Sequence, residues 1–330
     1  MPELPELVQV LLDPRTYPDT PQRVEMVQTQ MSFVFLTDNF VYKVKKPVDL
    51  GYLDYTTLDK RYACCQKEVA LNRRLCPDAY LGVLSITRGK DGITLEGEGE
   101  VIEYAVKMRR LPQDAMLDAL LLQNRVTAQM INGVAQRVAE FHQTAEPVTG
   151  FGDLDTLITN TEENFSQTEA YIGRTISQER YCHIRDWTRG FIADNASLFR
   201  QRVADSKIRD CHGDLHAAHI CFTYGICIYD CIEFNDRFRY CDVAAEVAFL
   251  AMDLDRYGRA DLSQSFVDAY VAQSGDEQIP ELLNYYKCYF AYVRGKVQSF
   301  QLDDPHIPEE EKEKVLDVAR HYFELAESYI

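Results

Sequence analysis

Positive charge is scarce in this chain. Lysine and arginine number 35 against 52 aspartates and glutamates in 330 residues, a formal charge of −17. Such a surface repels phosphate backbones and anionic lipid headgroups, so nucleic acid and membranes are excluded as default partners. It gives weak support for a cationic small-molecule substrate. Long apolar runs are missing too, since none reaches the roughly 18 residues of a spanning helix. The start, MPELPELVQVLLDP, has neither the basic n-region nor the small-residue cleavage site of a secretory signal, so a soluble, cytoplasmic chain is expected. The ten cysteines contain no CxxC pair and mostly sit in apolar, strand-like runs such as ICFTYGICIYDCIEF. Reduced, buried thiols are therefore expected rather than zinc ligands or disulfides. Gly-rich dinucleotide fingerprints and the P-loop pattern GxxxxGK[ST] are absent, which argues against Rossmann and Walker-type nucleotide binding. There is no internal repeat and no low-complexity tract.

What is present is an ordinary globular balance, 46% hydrophobic and 26% charged, in a chain long enough for two lobes. Residues 4–12 show helical apolar spacing, broken by the prolines of PRTYPDTPQ. Strand patterns follow at 23–28, 32–37 and 40–45, the last two joined by Thr37-Asp38-Asn39. LDKRYACCQKEVALNRRL reads as one long helix ending before Cys76-Pro77. Strand signals resume at 80–87 and 101–108, separated by the turn-rich RGKDGITLEGEGE, and Leu111-Pro112 then punctuates the chain. From Asp114 onward the pattern is helical, with Thr127 as an N-cap, two helices between about 155 and 203, and a helical run from DVAAEVAFLAMDLD to the end. The one β interlude is residues 209–234, a loop followed by the hairpin HICF-TYG-ICIYD. The expected architecture is α+β and bilobal. Residues 1–108 form a small β-rich N-lobe, an antiparallel sheet plus a helix, and residues 109–330 a mainly helical C-lobe, with a cleft between them.

In CHGDLHAAHICFTYGICIYDCIEFND, Asp214 lies in the loop before the hairpin and Asp230 at its far end, 16 residues later. Phosphoryl transfer uses such a pair. One carboxylate orients or deprotonates the attacking hydroxyl, and the other holds the magnesium that bridges the β- and γ-phosphates. Taken alone, HGD reads as a turn and YD as a strand end. The β-rich lobe upstream strengthens the catalytic reading.

These residues resemble the aminoglycoside phosphotransferase-like branch of the protein-kinase-like fold, which includes choline, fructosamine and homoserine-type kinases. His212-Gly213-Asp214-Leu215-His216 is similar to its catalytic HGDLH, Asp230 with CIEF to its metal-binding motif, and Asp242 to the Asp that braces the catalytic-loop backbone. The likeness covers roughly residues 25–300. It extends to an uncharacterised bacterial subfamily carrying VYKVKKPVDLGYLDYTTLDKR and IEFNDRFRYCDVAAEVAFLAMDL in similar form. It implies ATP- and Mg2+-dependent phosphorylation of a small molecule and leaves the acceptor unnamed. The family also places an Asn five residues after the catalytic Asp as a second magnesium ligand, and here that position is His219. His219 then supports one-metal catalysis, favours a softer ion such as Mn2+, or marks a weakened enzyme.

A kinase-like site further needs a strand lysine for the α- and β-phosphates and a helix glutamate to fix it. Alternation puts Val41, Lys43 and Lys45 on one face of the third strand. Val41 suits packing under adenine, so Lys43 is the expected phosphate lysine, Lys45 the fallback, and Glu68 the ion-pair partner. No Gly-rich phosphate loop precedes them, and hydroxyl or backbone donors at Thr29-Gln30-Met31-Ser32 would have to replace it. Val106, Lys107 and Met108 are assigned to the hinge whose backbone meets adenine. Glu233, Asn235, Asp236 and Arg237 read either as an acceptor-facing group or as a polar loop. Arg294 and Lys296 are expected to pair with Asp or Glu between helices, and His142 to be a packing histidine. The sum is a kinase acting on a hydroxyl of a small metabolite, with a nucleotide-binding regulatory or pseudo-kinase module as the alternative.

Overall fold

The computed structural model describes residues 4–90, 92–304 and 307–330. In chain order the elements are α1 (Glu6–Leu11), β1 (Glu25–Gln28), β2 (Ser32–Leu36), β3 (Phe40–Lys45), α2 (Leu58–Asn72), β4 (Tyr80–Gly89), β5 (Gly92–Leu95) and β6 (Glu100–Arg109). Helices α3 (Leu117–Leu122), α4 (Ala128–Thr144), α5 (Leu154–Thr168), α6 (Gln178–Asp194) and α7 (Ala196–Ala204) follow. Then come β7 (Ile208–Asp210), β8 (Ile220–Cys221), β9 (Cys227–Ile228), α8 (Asp236–Arg239) and β10 (Tyr240–Asp242). The chain closes with α9 (Val243–Arg256), α10 (Ala260–Ser274), α11 (Ile279–Gln301) and α12 (Glu309–Glu327). It is the mixed architecture that the pattern implies, a β-rich first part followed by a mainly helical one.

Two details differ from the sequence reading. Gly92–Leu95, inside the turn-rich stretch, is a strand because it pairs with Ile86–Gly89 of β4, a partner supplied by tertiary structure rather than by local propensity. Between Leu154 and Ala204 there are three helices instead of two, since Asn195 ends α6 and begins α7.

The elements form two compact units, one comprising the chain up to Ala119 with Ala218–Asp236, the other Leu120–Ala217 with Arg237–Ile330. The sequence pattern set one boundary after residue 108; here the division follows Ala119, and the hairpin ending at Asp230 returns to the first unit. Phe222 N–H donates to Ala115 O at 2.9 Å within that unit. Cys76 and Cys227 are joined there as a disulfide with Cα atoms 4.7 Å apart. For this pair the expectation of reduced thiols is overturned, because 151 residues separate them and no local spacing betrays it.

The first unit is built on a six-stranded antiparallel sheet of order β1-β2-β3-β6-β4-β5. Strand alternation sorts its faces. Tyr42, Val44 and Ala105 pack with Phe35, Ile86 and the α1 residues Val8 and Leu11. Val41, Val106 and Met108 pack on the other face with Cys65 and Val69 of α2. Thr57 caps α2, its side chain accepting from Lys60 N–H. In the second unit every residue from Val243 to Leu254 of α9 is buried, as expected for a helix with apolar residues all round. Among the described residues no helix is long and apolar enough to cross a membrane.

Candidate active site

In the first unit, β3, α2 and the end of the hairpin bring five charged side chains together. Lys43 Nζ lies 3.0 Å from Glu68 Oε1 and 2.9 Å from Asp230 Oδ1. Lys45, two residues on and so on the same face, meets the other Glu68 oxygen at 2.7 Å and also pairs with Glu233. Glu68 therefore holds both lysines, one on each oxygen. Burial alone would discharge Lys43, but Asp230, Glu68 and Glu233 outweigh it and hold its pKa well above the ordinary lysine value. The same balance holds for Lys45, where Glu233 and Glu68 overcome burial. Glu233 is a buried anchor on Lys45 rather than an acceptor-facing group.

Asp230 has φ +63°, a left-handed backbone that costs a non-glycine residue about 1–2 kcal/mol. Neighbours enforce it: Asp230 N–H donates to the Tyr80 hydroxyl at 3.2 Å and Cys231 N–H to Asn72 Oδ1 at 2.8 Å. His219, just before β8, puts Nε2 at 3.6 Å from Asp230 Oδ2. A hard carboxylate oxygen beside an imidazole nitrogen is a donor set that fits a divalent ion whose other ligands are phosphate and water.

The expected hinge needs correction. Val106, Lys107 and Met108 lie within β6, paired on one side with Lys43, Tyr42 and Val41 and on the other with Val83, Gly82 and Tyr80. Their main-chain groups belong to a ladder with neighbours on both sides, so they are not placed to meet a base edge. The strand ends only at Arg109. The Val106 and Met108 side chains share the Val41 face, whereas Lys107 Nζ lies on the other face, 4.4 Å from the Phe40 ring centroid. The glycine-free turn also differs: the Thr29 hydroxyl accepts from Met31 and Ser32 N–H at 3.3 and 3.0 Å, so these groups serve the turn itself.

In the second unit, Asp214 sits in the loop after β7, at the turn made by Gly213 with φ +86°. Helix α9 holds this loop. Glu246 accepts from His212 N–H at 2.9 Å and Gly213 N–H at 2.6 Å, and Asp253, two turns later on the same face, accepts from Ala217 N–H at 2.9 Å. His216 Nε2 lies 3.6 Å from Asp214 Oδ2. The bracing role implied for Asp242 thus falls to Glu246. Asp242 caps α9, accepting from Ala244 N–H at 2.9 Å, and pairs with Arg202 at 2.6 Å, because its place at the helix start points its carboxylate at the first-turn amides. His142 is more than packing: with Nε2 donating to Glu246 at 2.8 Å, Nδ1 accepts from the Tyr270 hydroxyl at 2.8 Å. Burial would raise the Glu246 pKa, but His142 and the His212 amide outweigh it and hold it below the ordinary carboxylate value. On α11, Lys296 donates to the amide oxygens of Asn164 and Gln167 at 2.6 and 2.7 Å in place of an expected carboxylate pair, while Arg294 lies over the Tyr322 ring with the Asp214 and Asp253 charges also supporting it.

No protein-family model matches the chain. Uncharacterised proteins of Mycobacterium bovis and Mycobacterium tuberculosis are 28% identical over 302 residues, 90% of this chain, and the chain spans 58% of their length. Among solved structures, a choline/ethanolamine kinase family protein from Mesorhizobium loti superposes with a TM-score of 0.54 at 12% identity, covering 98% of each chain. A choline kinase from Cryptosporidium parvum gives 0.54 at 12% identity, over 98% of this chain and 93% of that one. An ADP-bound aminoglycoside phosphotransferase gives 0.50 at 14%, over 98% and 99%. At such identities the likeness is one of fold, and the chain has the protein-kinase-like fold shared by these small-molecule kinases.

Proposed function

We propose that this chain is an ATP-dependent phosphotransferase acting on a hydroxyl of a small molecule. The observation that carries the reading is Lys43, joined at once to Glu68 of α2 and to Asp230. An ammonium kept charged and aimed by two carboxylates is the group a nucleotide phosphate needs, and rotation of Nζ lets it exchange Asp230 for a phosphate oxygen. Asp230, with His219 beside it, would hold the divalent ion, Mg2+ or Mn2+, which when bound neutralises charge on the β- and γ-phosphates. Val41, half-buried on that face while Val106 and Met108 are buried against α2, supplies the apolar surface for adenine, and the backbone that would meet the base edge lies past Arg109. Asp214, stiffened through its loop by Glu246, accepts the proton of the acceptor hydroxyl.

The test is phosphate transfer from ATP against a metabolite library, with magnesium and with manganese. Asp214→Asn is expected to lower kcat about 100-fold or more while nucleotide KM stays within about threefold. Nucleotide binding without turnover in the wild type would favour the second reading, a nucleotide-binding regulatory module, which His219 and the glycine-free turn support. Absence of both binding and turnover would overturn either reading.

A further inference from the structure

Strand β3 carries two lysines on one face, Lys43 half-buried and Lys45 buried, and the phosphate clamp uses only Lys43. Lys45 has three N–H donors and meets three acceptors: Glu68 Oε2 at 2.7 Å, the Tyr55 hydroxyl at 3.3 Å, and the Glu233 carboxylate. It is 1% exposed, and Glu68 and Glu233 are 0% and 5% exposed. An ammonium saturated in this way cannot turn to a ligand without breaking its own shell. Burying such ions costs several kcal/mol each, and apolar replacements of similar volume are often no less stable. Stability alone therefore does not account for the array.

What its members are attached to does. Glu68 is the α2 residue that fixes Lys43. Glu233 lies three residues beyond Asp230. Tyr55, in the connection leading to α2, donates its hydroxyl to Glu233 at 2.8 Å. The segment 230–233 is pinned at its start by Tyr80 and Asn72, and Lys45 with Tyr55 pins its end. A residue kept at φ +63° needs surroundings that determine it from both sides.

We propose that Lys45 is a positioning residue: through Glu233 and Glu68 it ties the segment that carries Asp230 to the helix that carries the lysine clamp. Phosphate lysine and metal carboxylate are then set as one body. The inference rests on the nucleotide reading above, and its test keeps the two apart.

Lys45→Met alone leaves Glu233 buried without its cation and is expected to lose stability. The decisive protein is Lys45→Met/Glu233→Leu, which removes both charges and keeps Lys43 on Glu68. It is expected to unfold cooperatively, to exchange the Cys231 amide at least tenfold faster than wild type, and to bind ADP with magnesium at least tenfold more weakly. Binding of ADP without metal should change less than threefold. Glu233→Gln, whose single amide oxygen can still accept from both Lys45 and Tyr55 but carries no charge, should fold fully and show the same metal-dependent loss to a smaller degree. Wild-type exchange at Cys231 together with wild-type metal-dependent binding in either folded variant overturns the proposal. If the wild type binds no nucleotide while exchange still accelerates in the double variant, the positioning role stands and the function reading falls.

Discussion

An imidazole and an amide oxygen treat a divalent ion differently. His219 stands five residues after Asp214, where the resemblance implies an Asn, and its Nε2 lies 3.6 Å from Asp230 Oδ2. Oxygen suits the hard magnesium ion, while nitrogen is tolerated better by manganese than by magnesium. His219→Asn is therefore expected to raise the ratio of magnesium- to manganese-supported turnover at least threefold, measured on one acceptor at saturating ATP. An unchanged ratio would remove His219 from the metal's surroundings. Much at this scale was legible beforehand: period-2 alternation placed Lys43 and Lys45 on the same face, and the need of a kinase-like site for a helix glutamate pointed to Glu68 as the partner of Lys43. Glu233 was not, because an acidic residue after a strand end looks like a solvated loop until Lys45 supplies its counter-ion. Glu246 escaped for a different reason. Motif likeness drew attention to Asp242, and only the packed position of α9 reveals which carboxylate reaches the His212 and Gly213 amides.

At the scale of elements, boundaries followed local signals and failed where a partner decided them. The Pro-punctuated end of β6 suggested a hinge at Val106–Met108, yet pairing on both sides extends the strand to Arg109. Strand β5 is short and glycine-led and exists because β4 is beside it. Helix α11 carries the instructive charge. Lys296 is buried against α5 with amide oxygens for partners, and burial pushes its pKa down to about 8, the Glu163 charge only partly opposing this. The unfolded chain holds that proton up to about pH 10.5. Between pH 8 and 10.5 the unfolded state binds the proton and the folded state does not, so this group makes stability rise with pH across that window. Below pH 8 both states are protonated and the folded state carries the full penalty, on the order of 1–3 kcal/mol. Urea unfolding at pH 7 and 9.5 should show that Lys296→Met stabilises at pH 7 and lacks this part of the wild-type rise. Equal pH dependence in both proteins would mean that Lys296 is not strained by burial.

At the scale of the molecule, the order of β-rich and helical segments sufficed for a bilobal α+β chain and the motif resemblance around Asp214 and Asp230 for the kinase-like class, but neither indicated that the chain returns. Ala218–Asp236 rejoins the first unit after the chain has built α4–α7 and β7 in the second, and it carries Asp230 back to the lysines of β3. Such a return closes a long loop, and loop closure costs entropy that local contacts of two-residue strands repay poorly. The Cys76–Cys227 bond closes that loop covalently, joining the turn after α2 to β9 across 151 residues. By chain-entropy arithmetic a link over that span removes about 5 kcal/mol of freedom from the unfolded state. The consequence is a stability that depends on redox state. Non-reduced protein unfolded in denaturant should titrate eight thiols, the eight free cysteines, and all ten after reduction. Reductant should lower the denaturation midpoint of the wild type, by up to about 5 kcal/mol in free energy, and leave Cys76→Ala/Cys227→Ala unchanged. Ten titratable thiols without reductant would show that the two sulfurs pack as separate thiols, and the return segment would then depend on hydrogen bonds and on the Lys43 and Lys45 ion pairs alone.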